Sequence, residues 1–201
     1  MPAFLIVAAF SYVLGSIPFG YLLLRIFRGE DVRQTGSGNI GATNVARSSP
    51  ALGIFTLILD ALKGLAAVLA TRALFPGQDL LAGVAALCAV LGHMSSIWLK
   101  FRGGKGVATG LGSFVIIAPK AILVMICIFL ILVIAFRYVS LASIVGVALF
   151  PALAYLLDGY RHAPRMIALM AAVSILIVAR HHQNIRRLLD GTESRFQLRH
   201  G

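Results

Sequence analysis

The sequence predicts an all-α protein that crosses a membrane several times, and three observations carry that expectation. The chain of 201 residues is 59% hydrophobic, with a mean hydropathy of +0.92. Only 12% of its residues are charged, against about a quarter in soluble domains. The apolar residues fall in long blocks, and most of the 18 Lys and Arg fall between them. An outer-membrane barrel would instead need short alternating segments, which do not stand out.

A formal charge of +11 would point to nucleic acid in a soluble protein. Here the basic residues stand beside apolar blocks, as in cytoplasmic loops. The expected partner is therefore the lipid bilayer and not nucleic acid. Cys88 and Cys127 lie within apolar blocks and imply no disulfide framework. The first block, residues 3–24, has neither a basic leader nor a cleavage site, so it reads as a span and not as a signal peptide. No internal repeat or long linker divides the chain, and residues 1–201 read as a single integral membrane domain.

The spans follow in order. Residues 3–24 form the first, and 51–74 the second, closed by the Pro76-Gly77 turn signal. Residues 80–99 form the third. Residues 107–136 are too long for one simple crossing, since about 20 residues suffice, and Pro119-Lys120 offers a break. Residues 141–157 and 166–179 complete the set. The positive-inside rule chooses between one crossing of 107–136 and two. With the 25–50 loop inside, two crossings put thirteen of the eighteen Lys and Arg on the cytoplasmic side. A single crossing would carry Arg180, Arg186, Arg187, Arg195 and Arg199 to the other face. Seven transmembrane helices are therefore expected, with the N-terminus outside and the C-terminus cytoplasmic. The fourth, 107–118, is short, and half-depth is tolerated where protein or a water-filled cavity surrounds it.

Three polar stretches interrupt these blocks. The first, GSGNIGATNVAR from Gly36 to Arg47, brings glycines together with Ser37, Asn39, Thr43, Asn44 and Arg47, and has no acid. It matches the letters G-x-G-x-x-G but lacks the strand and βαβ unit of a dinucleotide site. What remains is a backbone-rich anion site. Glycines let N–H groups turn toward a ligand, and a short following helix aims its N-terminus there. On that helix Asn44 and Arg47 share a face. The plain alternative, a tight turn with an interfacial helix, does not require Ser, two Asn and Arg together.

The second stretch, RGGKGVATG from Arg102 to Gly110, surrounds Lys105 with Gly103, Gly104 and Gly106 at the start of a span. It is not a Walker A loop, because the first glycine and the Ser or Thr after Lys are missing. Backbone N–H groups, a helix N-terminus and an ammonium would still converge on one point. The positive-inside rule alone accounts for Lys100 and Arg102 but not for three glycines. The third stretch, RHHQNIRR from Arg180 to Arg187, sets His181 and Asn184 on one side if the helix continues. Its plain alternative is a solvated helix end. All three are expected to meet on one membrane face and hold phosphate groups there.

Two further features sit inside spans. His93, beside Ser95 and Ser96, reads equally well as a satisfied core histidine. Asp60 and Lys63 are costly charges that need partners, and at i and i+3 they can pair with each other. Lys63 is also long enough to snorkel toward a phosphate. Several chemistries are absent from the sequence. No His is followed five residues later by Asp, and there is no G-x-S-x-G elbow, no cluster of acids for a metal and no DG-x2-AR phosphotransferase motif. The expected chemistry uses no metal and no Ser-His-Asp triad.

GSGNIGATNVAR, the pair Asp60 and Lys63 followed by Gly64, GHMSSIWLKFRGGKGVATG, RYVSLASI and HHQNIRRLLDGTES occur in the order found in one family. Over nearly its whole length the chain resembles the bacterial acyl-phosphate:glycerol-3-phosphate acyltransferases. It departs at Met94 to Ser96, where members commonly carry other residues with a proline nearby. The resemblance implies transfer of a fatty acyl group from acyl phosphate to the 1-hydroxyl of glycerol 3-phosphate. The products would be lysophosphatidic acid and phosphate, in the first acylation of phospholipid synthesis. It implies no cofactor, no coenzyme A and no acyl carrier protein. It also implies the bacterial inner membrane, with the active site facing the cytoplasm. Catalytic roles would fall to Ser37, Arg47, Lys105, His181 and Asn184. Substrate or phosphate would be bound by Gly38, Asn39, Thr43, Asn44, Gly103, Gly104 and Ser143, with Lys63 and His93 as further candidates.

Two other classes fit less well. A transporter for an organic phosphate would use a basic pocket among broken helices, but no inverted repeat is visible and the polar motifs cluster at one face. A lipid-binding assembly protein would leave the glycine–lysine loops without a use.

Overall fold

The computed structural model describes residues 1–195, so Arg199 of the basic tail lies outside the described residues. Among them there are ten α-helices, three short 3-10 turns and no strand. The described residues pack as two compact units, Met1–Ile117 and the residues from Ala118 on.

The first unit opens with α1 (Pro2–Gly15) and α2 (Phe19–Arg28), separated at Pro18, which has no N–H to donate. Together they form one candidate span, Pro2–Arg28. Arg25 and Arg28 close α2, where cations favour the helix dipole. A loop leads to α3 (Ala42–Ser48). Ser49 then caps α4 (Pro50–Leu74) by accepting from the Leu52 N–H at 3.4 Å, with Pro50 in the first turn. α5 (Asp79–Met94) and α6 (Val107–Phe114) both pack on α4.

The backbones of α4 and α6 meet closely. A Cβ on Gly64 would strike the Thr109 carbonyl, and one on Gly112 would strike the Ala61 carbonyl. Arg72, near the end of α4, donates to the Ile116 carbonyl at 3.0 Å and lies 3.6 Å from Asp79. The segment beginning at Val107 thus brings the chain back to the end of α4 where α5 starts. It does so with few helical residues, since the eight of α6 rise only about 12 Å against a hydrocarbon core of roughly 30 Å.

The second unit contains α7 (Pro119–Phe136), α8 (Val139–Leu157), α9 (Pro164–Ala179) and α10 (His182–Leu189). The expected break at Pro119 is present: α7 begins there. Both carboxylate oxygens of Asp158 accept from its first-turn N–H groups, Lys120 at 3.0 Å and Ala121 at 2.8 Å. Asp158 follows α8, so this cap ties the start of α7 to the end of α8. α7 leaves Leu123, Leu130, Ile131 and Ile134 exposed, as a lipid-facing helix does. The last span ends at Ala179, as expected, and the helix does not continue straight through His181: α10 leaves at 56° to α9.

Among the described residues, five helical segments suit a membrane crossing by length and composition: Pro2–Arg28, Pro50–Leu74, Asp79–Leu99, Pro119–Phe136 and Val139–Leu157. The bent pair of α9 and α10 makes a sixth. A count of seven is reached only if the short α6 segment is included.

Candidate active site

The first polar stretch folds around Asn44, which is buried. Its Oδ1 accepts from the Ser37 N–H at 2.9 Å. Its Nδ2 lies 2.9 Å, 3.0 Å and 3.1 Å from the carbonyls of Asn39, Thr35 and Val32. One amide therefore closes the loop, and its hydrogen-bonding capacity goes to the backbone. Gly36 sits at φ 54 against this amide, and a Cβ there would strike Asn44 Oδ1. The same Cβ position is 3.2 Å from Arg47 Nη1, which places the guanidinium beside the Ser37 end of the loop. Ser37, Gly38, Thr43 and Arg47 are exposed, while Asn39 is half-buried, its Oδ1 accepting from the Gly41 N–H at 2.8 Å. At the loop entrance, hydrogen bonds from the Arg33 side chain hold the Asp31 carboxyl down to about 2.

Beneath the loop, Leu24, Val32, Ile40, Val45 and Leu99 form a small buried core with Tyr21 and Leu52 packed on it. Leu99 belongs to the segment just before the second polar stretch. This core therefore holds the first two stretches in one neighbourhood.

In the second stretch the Gly103 and Gly104 N–H groups donate to the carbonyls of Met94 at 3.1 Å and His93 at 2.9 Å. A Cβ on Gly104 would strike the His93 ring. Lys105 is half-buried next to the start of α6, whose first-turn N–H groups have no carbonyl of their own helix to meet. Lys63 and His93, expected among the phosphate ligands, lie buried beneath this loop. The expected ion pair is present, with Lys63 Nζ 2.7 Å from Asp60 Oδ1.

In the second unit, His181 stands at the bend between α9 and α10. Its Nδ1 lies 2.8 Å from the Ile177 carbonyl, which can only accept, so Nδ1 carries the hydrogen. Asn184 Nδ2 donates to Glu193 Oε1 at 2.6 Å. The Ser140 hydroxyl donates to the same oxygen at 2.6 Å, and Arg187 Nε to Glu193 Oε2 at 2.6 Å. Burial pushes the Glu193 carboxyl up, but these three hydrogen bonds and the Arg187 charge outweigh it and hold the group below its ordinary value. Ser143 is buried on α8 and donates to the Val139 carbonyl at 2.9 Å. His182 is exposed. Among the described residues, no three of His, Cys, Asp and Glu gather as a group able to hold a metal ion.

A family model described as glycerol-3-phosphate acyltransferase matches residues 5–191. This chain belongs to that family. The glycerol-3-phosphate acyltransferase of Syntrophotalea carbinolica is 45% identical over 198 residues, which cover 98% of this chain and 100% of that protein. A crystal structure of PlsY (YgiH), an integral membrane glycerol 3-phosphate acyltransferase in its glycerol 3-phosphate form, superposes with a TM-score of 0.87. It shares 37% identity and covers 96% of both chains. Its lysophosphatidic acid form superposes at 0.86, with 35% identity over 96% of this chain and 95% of that one.

For this glycerol-3-phosphate acyltransferase family member, the polar residues divide into two groups. Ser37, Thr43 and Arg47 are exposed and Lys105 is half-buried. Asn44, Asp60, Lys63, His93, His181 and Asn184 are buried. Residue type and spacing did not separate these groups. The sequence reading also missed Glu193 as a site residue, although it stands in the quoted stretch HHQNIRRLLDGTES.

Proposed function

We propose that this protein transfers a fatty acyl group from acyl phosphate to the 1-hydroxyl of glycerol 3-phosphate. The observation that carries the proposal lies in the first unit. There Val32, Ile40 and Val45, which flank Ser37 and precede Arg47, share one small core with Leu99, which precedes the glycine–Lys105 loop. Both substrates carry phosphate, and that combination suits phosphate. Arg47 offers a planar fork for two oxygens, and Lys105 a point charge. Ser37, Gly38, Asn39 and Thr43 line the anion site with Gly103 and Gly104, while Asn44 contributes by fixing the loop. The glycerol 3-phosphate and lysophosphatidic acid forms of PlsY agree with this acceptor and this product.

In the reaction, the 1-hydroxyl oxygen bonds to the acyl carbon and the bond from that carbon to the phosphate oxygen breaks. The hydroxyl proton leaves with the phosphate, taken by a phosphate oxygen of the donor. Acyl phosphate is already activated, so the protein's share is orientation and stabilisation of the departing charge. His181, Asn184 and Ser143 hold the acceptor, and residues 1–201 are read as one catalytic domain. His181 is fixed through Nδ1 by the Ile177 carbonyl. Replacing His181 with Gln keeps a hydrogen-bonding group that takes no proton, and substantial activity is expected to remain. Near-total loss with unchanged substrate binding would instead make His181 the base.

The protein would span the bacterial inner membrane seven times, with its N-terminus outside, its C-terminus inside and the site facing the cytoplasm. The return of the α6 segment to Arg72 supports counting that segment as a crossing. Cysteine accessibility at residues 118–121 tests it, with labelling from the outer face expected. The activity is tested with purified protein, acyl phosphate and radiolabelled glycerol 3-phosphate in detergent. One labelled lysophosphatidic acid per phosphate released is expected, and none with acyl-coenzyme A or acyl carrier protein as donor. Product from only the latter donors would overturn the donor assignment. Uptake into liposomes without product would indicate a transporter.

A further inference from the structure

Asp60, Lys63 and His93 are buried, at 2%, 3% and 4% exposure, and no step above uses them. A lysine ammonium has three hydrogens, and three acceptors surround this one. They are Asp60 Oδ1 at 2.7 Å, the Ile17 carbonyl at 2.7 Å and His93 Nδ1 at 3.0 Å. For the third to be a hydrogen bond, Nδ1 must accept, which places the ring hydrogen on Nε2. Nε2 is the atom that a Cβ on Gly104 would strike first. The His93 carbonyl also accepts from the Gly104 N–H at 2.9 Å, and the next carbonyl, that of Met94, accepts from Gly103 at 3.1 Å. His93 therefore meets the loop twice, through its backbone and through its ring. Lys63, together with Asp60 Oδ1 at 3.5 Å from the same Nδ1, sets the direction of the ring. Asp60 and the Ile17 carbonyl, at the break between α1 and α2, set the position of Lys63.

We infer that Asp60, Lys63 and His93 form a positioning relay that fixes the backbone of Gly103, Gly104 and Lys105. Lys63 and His93 then act through the loop and do not touch phosphate. This rests on the reading of that loop as a phosphate site. A tie between α4 and α5 alone needs no charge, because apolar packing at such a place is neutral or stabilising by comparison. Charges inside a span are retained where they serve a site, and this cluster ends against the glycine loop.

The test compares acyl-transfer kinetics and thermal unfolding of the full-length protein in detergent. His93→Asn keeps a polar group at the Nδ1 position, facing Lys63. His93→Gln keeps one at the Nε2 position and withdraws the acceptor from Lys63. The Asn variant is expected to retain most of its kcat/KM. The Gln variant is expected to lose about a hundredfold, the scale of an ångström-sized misplacement, with the two unfolding at similar temperatures. A second measurement uses Gly104→Ala, whose new methyl meets the His93 ring. Adding His93→Ser makes room, and the double variant should be more active than Gly104→Ala alone, a coupling that a remote structural role does not produce. Equal losses in the Asn and Gln variants that follow unfolding temperature, or additive effects in the cycle, would overturn the relay. Full activity in Lys105→Ala would sink the phosphate-loop reading itself, whatever the His93 variants do.

Discussion

Asn44 in the first unit and Glu193 in the second each gather a polar segment around one side chain, with different chemistry. Asn44 both accepts and donates: it takes the Ser37 N–H and faces three backbone carbonyls. Glu193 only accepts, from Ser140, Asn184 and Arg187. The amide carries no charge and does not titrate. The carboxylate makes stronger charge-assisted bonds but depends on staying ionised. The comparison teaches that a loop built on its own backbone needs donors and acceptors together, whereas a group of side-chain donors needs only a sink.

The largest effect should come from Asn44→Asp, which keeps the shape but replaces the donors facing the carbonyls of Val32, Thr35 and Asn39. Each buried group left without a partner costs about 1–3 kcal/mol. Activity should fall to background, and proteolysis should open the 32–44 loop. A well-folded, active Asp variant would break the comparison. Next comes Glu193→Gln. It removes the charge opposite Arg187 and weakens bonds of a kind worth about 1.5–3 kcal/mol each, less here because Arg187 is partly exposed to screening. The unfolding temperature should drop, by less than for Asn44→Asp.

Acidification sharpens the contrast. The Glu193 carboxyl lies below its ordinary 4.5 in the folded chain, so its contribution is complete above that pH. It is lost as pH falls through the lower folded value. Hydrogen exchange near Asn184 should therefore rise below about pH 4.5, while exchange near Ser37 should not. Asp31, at the entrance of the first loop, is held from 3.8 down to about 2, so that entrance loosens only at lower pH. Simultaneous loosening of both regions would contradict the division. The smallest effect belongs to Asp31→Asn. It breaks a partly exposed pair with Arg33 and should cost roughly 0.2–1 kcal/mol in unfolding, with activity unchanged.

Much of this was legible in the sequence. Apolar blocks located the long helices, Pro119 marked the true start of α7, and the glycine-rich stretches marked the loops. Asp60 and Lys63 at i and i+3 announced their pairing. Other features depend on packing that no local pattern carries. Asn44 and Arg47 share a short helix, yet one is buried in the loop and the other is exposed. Nothing local marks the 56° bend before His182, because it lies within a run with neither proline nor glycine. The close packing of α6 on α4 rests on glycine contacts that join residues far apart in sequence. Glu193 reads as one acid in a basic tail until its three donors are seen.

The most direct measurement is the turnover of Lys105→Ala with acyl phosphate and glycerol 3-phosphate, beside its thermal unfolding. If the glycine–lysine loop holds phosphate during transfer, kcat/KM should fall by about 10²–10³-fold, the range seen when one charge-stabilising donor is removed, with the unfolding temperature unchanged. Undiminished turnover would contradict the account.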